Sequence, residues 1–230
     1  MDWKKLQNGS DIRGVALEGI EGESVNLTNE VTTALAQAFV AWLGEKNGKT
    51  AQTIAVGSDS RISSPALCKA FADGAAAAGA TVLNFGMAST PAMFMATVDE
   101  QLRADGAVMV TASHLPWNRN GLKFFTAKGG LEKADIARIL ELAPQFMGAE
   151  KKGNGEVKVV DFMATYCDIL ANYIRRGVNN GDQPLQGMHI IVDAGNGAGG
   201  FFANKVLKSL GADTTGSQFL EPDGHFPNHI

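Results

Sequence analysis

Apolar positions recur along this chain in two rhythms. Over 31–43 they fall at helical spacing behind Thr28 and Asn29, either of which can cap a helix, and Gly44 with the polar stretch 45–49 ends it. A short apolar run over 53–56 predicts a strand that ends at Gly57-Ser58-Asp59-Ser60-Arg61. An Ala-rich helix is predicted over 64–78 and closed by Gly79, with a second strand over 81–85. Residues 91–98 read as a helix, 106–110 and 121–125 as strands, and 134–142 as a further helix. Short apolar runs alternating with longer helical ones predict an α/β layered domain.

The pattern breaks over 147–156, where Gly, Lys, Glu and Asn replace apolar residues, so a domain boundary is expected near Gly153, dividing 1–153 from 154–230. Beyond it the periodicity predicts an amphipathic helix over 161–176, a polar loop over 178–187 carrying Pro184, a strand over 189–193, a Gly-rich turn over 194–200 and a helix over 201–210. This order repeats that of 53–81: strand, polar loop, helix, Gly-Ala, strand. Two copies of one α/β unit account for the likeness, and so does the general similarity of any two βαβ units. One strand, one helix and one more β-like run scarcely close a core of their own, so the chain is expected to be a piece of a longer protein.

Composition narrows the function classes. Hydrophobic residues make up 45% and charged residues 19%, enough apolar material for a core and too much for a disordered chain. A formal net charge of -4 argues against a non-specific nucleic-acid binder. Cys68 and Cys167 lie far apart, in helical runs and without CxxC spacing, so a disulfide scaffold and a cysteine zinc site are not expected; both read as reduced, buried thiols. No apolar h-region follows the N-terminus, and no apolar run reaches the ~20 residues that span a bilayer. The expectation is a soluble, cytoplasmic protein with no membrane partner.

The most informative stretch runs from Val110 through Thr111-Ala112-Ser113-His114-Leu115-Pro116 to Asn120-Gly121-Leu122-Lys123. An apolar strand delivers Ser113 and His114 at its carboxyl end, where open α/β sheets bind ligands. Pro116 stops the strand, and Asn118, Asn120 and Gly121 supply the bend before Lys123 returns. A hydroxyl, an imidazole and an ammonium thereby share one hairpin-like element, and an added Arg and Lys favour anion binding. Two further loops reach for the same edge. Ser10-Asp11-Ile12-Arg13-Gly14 sets an arginine beside a tight turn. Gly57-Ser58-Asp59-Ser60-Arg61 leads into Ser63, Ser64 and a helix N-terminus, which favours anions. Asp59–Arg61 reads more readily as an ion pair that holds its loop than as catalytic; Asp11–Arg13 reads equally as a salt bridge or as part of the site. Together the loops suggest a phosphate site.

These motifs resemble the α-D-phosphohexomutase superfamily of phosphoglucomutases, phosphomannomutases and phosphoglucosamine mutases. The resemblance is carried by Asp11-Ile12-Arg13-Gly14, by Thr111-Ala112-Ser113-His114 with Pro116, by Asn120-Gly121-Leu122-Lys123, by 193–199, and by Pro222-Asp223-Gly224 with Phe226-Pro227-Asn228-His229. It implies a three-layer α/β/α domain with a mixed sheet, followed by an incomplete second α/β domain of similar topology. It implies that Ser113 carries a phosphoryl group and exchanges it with a hexose phosphate, interconverting 1- and 6-phosphates through a bound hexose bisphosphate. Arg13 and Lys123 would stabilise the transferring group and assist proton movement, and His114 would support the serine. This suits phosphoryl transfer, which depends on positioning and charge neutralisation. The family's metal ion, Mg²⁺, would meet the phosphate of Ser113. Leu115 stands where most members carry Asn, and the Asp-Gly-Asp-Gly-Asp-Arg metal loop is absent from 1–230, as are the sugar-recognition and C-terminal phosphate-binding domains. The remaining C-terminal domains of the same protein are therefore implied partners, and the chain alone is expected to be inactive.

Three rivals stand beside this reading. Gly195-Asn196-Gly197-Ala198-Gly199-Gly200 fits G-x-G-x-x-G behind a predicted strand and before a predicted helix, which suggests NAD or FAD binding. A non-catalytic sugar-phosphate-binding module is the second. A serine hydrolase is the weakest, since no G-x-S-x-G elbow is present. His225 and His229 have the spacing of a metal pair but read better as turn residues.

Overall fold

The computed structural model describes residues 1–149 and 153–228. The chain divides into two compact units, Met1–Val160 and Asp161–Ile230.

In the first unit two short strands, β1 (Gln7–Asn8) and β2 (Asp11–Val15), precede a long helix, α1 (Asn29–Asn47). The Thr28 hydroxyl caps α1 by accepting the Val31 amide at 3.3 Å, and a left-handed Gly48 ends it. There follow β3 (Thr53–Ser58), α2 (Ser64–Ala77), β4 (Thr81–Met87), α3 (Thr90–Val98), β5 (Gly106–Val110), β6 (Arg119–Thr126), β7 (Gly129–Gly130), α4 (Lys133–Leu142) and β8 (Glu156–Val159). The sheet order is β1-β2-β6-β5-β3-β4-β8, with β7 on β6. β5, β3, β4 and β8 pair in parallel, and β6 and β2 pair antiparallel.

Strand alternation sorts the residues onto two faces. The even-numbered Ile54, Val56, Val108, Val110, Leu122 and Phe124 join a buried cluster with Leu35 and Phe39 of α1, Phe71 of α2 and Ile139 of α4. The odd-numbered face carries α3: Phe94 approaches Phe125 at 6.4 Å between ring centroids, and a Cβ on Gly57 would lie 2.7 Å from Met93 Sδ. The result is the expected three-layer α/β/α arrangement with a mixed sheet.

Three details differ from the sequence reading. Asp11 and Arg13 lie in a strand rather than a loop, because β2 finds a partner in β6. Asn120, expected in the bend, likewise sits inside β6 ahead of Gly121. β8 adds a strand beyond Gly153 by pairing Glu156–Val159 with β4, so the first compact unit runs on to Val160.

The second unit opens with α5 (Phe162–Val178), capped by Asp161 and ended by a left-handed Asn179. Its Cys167 and Ala171 pack with Leu185, Val206, Leu207 and Leu210. The strand predicted over 189–193 is only two isolated parallel bridges, His189 to Asp213 and Asp193 to Gln218. A lone parallel pair covered on one side cannot sustain a ladder, and Ile191 stays 58% exposed. The helix predicted over 201–210 is a π-helical turn, Phe202–Leu207, followed by a 3-10 turn, Lys208–Leu210; no side chain caps its start. Both cysteines are free and buried, and burial pushes the Cys68 thiol up to about 11. Among the described residues no helix is long and apolar enough to cross a membrane.

The aromatic centre of the first unit is a position sensitive to truncation. Phe39 is fully buried, 4.8 Å from Phe124 and 5.9 Å from Trp42 between centroids. Phe39→Ala is expected to lower unfolding free energy by about 3–5 kcal/mol, read from urea denaturation.

Candidate functional site

Three segments meet at one edge of the sheet, at the carboxyl ends of β3 and β5. Asp59 N–H donates to the Val110 carbonyl at 3.1 Å, joining the loop after β3 to the end of β5. The N–H groups of Ala16 and Leu17, just past β2, donate to the Asn118 carbonyl at 2.8 and 3.1 Å. The loop from Thr111 to Asn118 lies between them, with Ser113 and His114 exposed.

Ser113 has a φ of +59°, in the left-handed region that a non-glycine residue adopts only at a cost. Its N–H donates to Thr111 Oγ1 at 3.0 Å, and its Oγ lies 3.3 Å from His114 Nδ1. Its carbonyl accepts from Arg61 Nη2 at 2.8 Å.

Arg61 is 1% exposed. Nη2 also donates to the Leu115 carbonyl at 2.8 Å, Nη1 donates to the Pro116 and Arg119 carbonyls at 2.8 and 3.0 Å, and Nε donates to Asp59 Oδ2 at 3.2 Å. Burial draws the guanidinium's pKa down, and Asp59 opposes that. Asp59 also accepts from the Thr111 hydroxyl at 2.7 Å and the Ser64 hydroxyl at 2.8 Å. The fully buried Asn120 donates to the Ser63 and Ser64 hydroxyls at 2.8 and 3.0 Å. The reading of Asp59–Arg61 as a loop-holding pair is right as far as it goes, but the loop held is the one that carries Ser113. Sequence reasoning missed this role for Arg61, Thr111 and Asn120, because the contacts span about fifty residues. The legible signal was an Asp-x-Arg placed directly after an apolar strand.

Arg13 and Lys123 occupy one face of the sheet. Ile12 pairs with Leu122, so Asp11 stands opposite Lys123, and Arg13 shares their face two residues on. Asp11 receives Arg13 Nη2 at 2.9 Å, and Lys123 Nζ lies 3.0 Å from its other oxygen. Arg13 Nη1 reaches the Ala112 carbonyl at 3.4 Å, the residue before Ser113, while its Nε is buried without a hydrogen-bond partner. Gly121 makes this close approach possible: a Cβ there would lie 2.4 Å from the Ile12 carbonyl oxygen and 2.9 Å from that of Thr111.

The segment after β2 grips the loop from outside. Glu23 accepts from Asn118 Nδ2 at 2.7 Å and from Arg119 through both Nε and Nη2. Gly19, at φ +127°, lies under the Trp117 ring, where a Cβ would come within 2.8 Å.

The glycine run of the second unit is spent on its own chain. Asn196 N–H donates to the Phe219 carbonyl at 2.8 Å, its Nδ2 donates to the Glu221 carbonyl at 2.9 Å, and its Oδ1 accepts from Asn228 at 2.8 Å. With no continuous strand before it and no capped α-helix after it, the run lacks the setting that a dinucleotide fingerprint requires. His225 Nδ1 pairs with Asp223 at 2.9 Å, and His229 lies outside the described residues. Among the described residues no three His, Cys, Asp or Glu side chains are grouped to hold a metal ion.

Architecture and edge place the first unit among layered α/β/α domains that present a loop for ligand chemistry at the carboxyl ends of a partly parallel sheet. The family model described as phosphoglucomutase/phosphomannomutase, alpha/beta/alpha domain I, matches residues 4–145, and the chain belongs to that family. It is 34% identical to a phosphoglucomutase of Neisseria gonorrhoeae over 93% of this chain and 43% of that protein. It is also 34% identical to a phosphomannomutase of Escherichia coli, over 96% of this chain and 46% of that protein. A crystal structure of a phosphoglucomutase/phosphomannomutase family protein from Burkholderia thailandensis superposes with a TM-score of 0.74 at 28% identity, covering 96% of this chain and 45% of that one. The chain thus spans less than half the length of these relatives.

Hydrogen bonds from Arg119 and Asn118 hold the Glu23 carboxyl below its usual value of 4.5. The grip is therefore complete above pH 4.5 and is lost as pH falls through the lowered value. Proteolysis of the 16–26 segment is expected to rise below pH 4.5, and Glu23→Gln is expected to flatten that pH dependence.

Proposed function

We propose that Ser113 is the phosphoryl carrier of a phosphohexomutase. The observation that supports this best is an exposed serine hydroxyl on a strained, left-handed residue, pinned from both sides at a sheet edge beside Arg13. In the forward step a hexose bisphosphate gives up one phosphoryl group: its P–O bond to the sugar breaks, a bond to Ser113 Oγ forms, and the serine proton passes to the sugar oxygen. That bisphosphate is itself formed when phosphorylated Ser113 gives its phosphoryl group to the O6 hydroxyl of a hexose 1-phosphate, the hydroxyl proton passing to Ser113 Oγ. Turned end for end, the bisphosphate returns its O1 phosphoryl group to Ser113 and leaves as the 6-phosphate. Arg13 and Lys123 neutralise charge on the group in transfer, released from Asp11 as the phosphate arrives. His114, within reach of Oγ, supports the serine.

Mg²⁺ on the Ser113 phosphate would share that charge. The described residues offer no set of carboxylates for it, so the remaining ligands are assigned to sequence outside this chain. The first unit corresponds on this reading to the family's phosphoserine domain, and Asp161–Ile230 to the opening part of its second domain. Sugar choice and full turnover belong with the remaining C-terminal domains. A non-catalytic sugar-phosphate module is disfavoured by the site's retained Ser113, Arg13 and Lys123.

Peptide mass mapping of the natively expressed protein is expected to find phosphoserine at Ser113, and Ser113→Ala is expected to remove all phosphoryl uptake from glucose 1,6-bisphosphate. Uptake that survives Ser113→Ala overturns the assignment. Separately, the purified 230-residue chain is expected to show no hexose-phosphate isomerisation in a coupled assay.

A further inference from the structure

A phosphoryl carrier has to be presented at a fixed point, yet Ser113 lies in a loop with no ladder partner of its own. We propose that Arg61 is the positioning residue of this site, acting on Ser113 through the loop's peptide carbonyls and never touching the phosphate. The proposal rests on the reading of Ser113 as the carrier and adds the means by which that residue is held.

Each of the five guanidinium N–H donors is already engaged: one on Asp59 and the others on the carbonyls of Ser113, Leu115, Pro116 and Arg119. At 1% exposure the group faces neither solvent nor an incoming anion. Only a planar fork spans four carbonyls converging on one point; an ammonium has three donors and no fixed plane. The grip continues on the other side of Ser113. Its N–H donates to Thr111 Oγ1, whose hydroxyl donates at 2.7 Å to the Asp59 oxygen that receives Arg61 Nε. Amide and carbonyl of Ser113 are thus tied to one pair, the buried Arg61 and the partly buried Asp59, which can hold a φ of +59° that the residue would not adopt on its own. The phosphate-facing cations are different residues, Arg13 and Lys123, on the sheet face.

Arg61→Lys and Arg61→Ala separate this role from general stabilisation. In Arg61→Lys, amide exchange of the peptide covering 113–119 is expected to quicken at least about tenfold, while peptides from α4 and β3 keep wild-type protection. Phosphoryl uptake at Ser113 from glucose 1,6-bisphosphate is expected to slow by about a hundredfold at unchanged half-saturation, the mark of lost orientation rather than lost binding. In Arg61→Ala, millimolar guanidinium chloride, and not sodium chloride, is expected to restore the loop's protection. Unchanged exchange of 113–119 in both variants, or an increase shared equally by α4 and β3, overturns the proposal. A wild-type chain that accepts no phosphoryl group even when joined to the remaining C-terminal domains counts against the carrier reading of Ser113, and the exchange and rescue measurements still decide the role of Arg61.

Discussion

A guanidinium closed off from water must find an acceptor for every N–H it carries, because an unmatched buried charge costs more than most single contacts contribute. Arg61 meets that condition by gathering the carbonyls of Ser113, Leu115, Pro116 and Arg119 around itself, with Asp59 as counter-charge. The constraint works in both directions. The loop cannot relax without stranding the charge, and the charge cannot be accommodated without that loop shape. The carboxyl edge of the sheet therefore has a defined form without any regular secondary structure between Val110 and Arg119.

The mixed sheet supplies the rest of the geometry. The antiparallel return of β6 beside β5, and of β2 beside β6, puts Lys123 and Asp11 opposite each other and Arg13 on the same face. α3 covers that face over β3 and β5, with Phe94 on Phe125, and the small Gly121 lets β2 and the Thr111 backbone close in. A strand order that was parallel throughout would leave these cations on unrelated edges. Asp11 holds both of them in place and lies beside the Ala112–Ser113 peptide through Arg13.

The second unit repeats the local order of the first, with weaker consequences. β3 and β4 form a parallel ladder over Thr53–Val56 and Thr81–Asn84, with a register shift before Ser58, because β5 and β8 flank them. The runs over 189–193 and 213–218 have the same parallel sense but only two bridges, and their glycine loop folds back on 219–228. A ladder is a collective property, and among the described residues no further strand lies beside these two runs.

Local pattern was sufficient for the helices α1 to α4 and the strands β3 to β6 of the first unit. Apolar spacing located α1, α2, α4 and β5, since burial of one face fixes the period whatever the partner turns out to be. Ser113 and Lys123 were legible as candidates on one element, because a hydroxyl at the end of an apolar strand and a following lysine are neighbours in sequence, whereas Arg13 read equally as half of a salt bridge with Asp11. What the sequence left open was which distant groups meet: that Asp11 and Arg13 enter a strand, that Glu156–Val159 joins the sheet, and that Arg61 reaches across some fifty residues to the loop. Those outcomes depend on strand register and on matching buried donors to acceptors, quantities that exist only once the layers have packed.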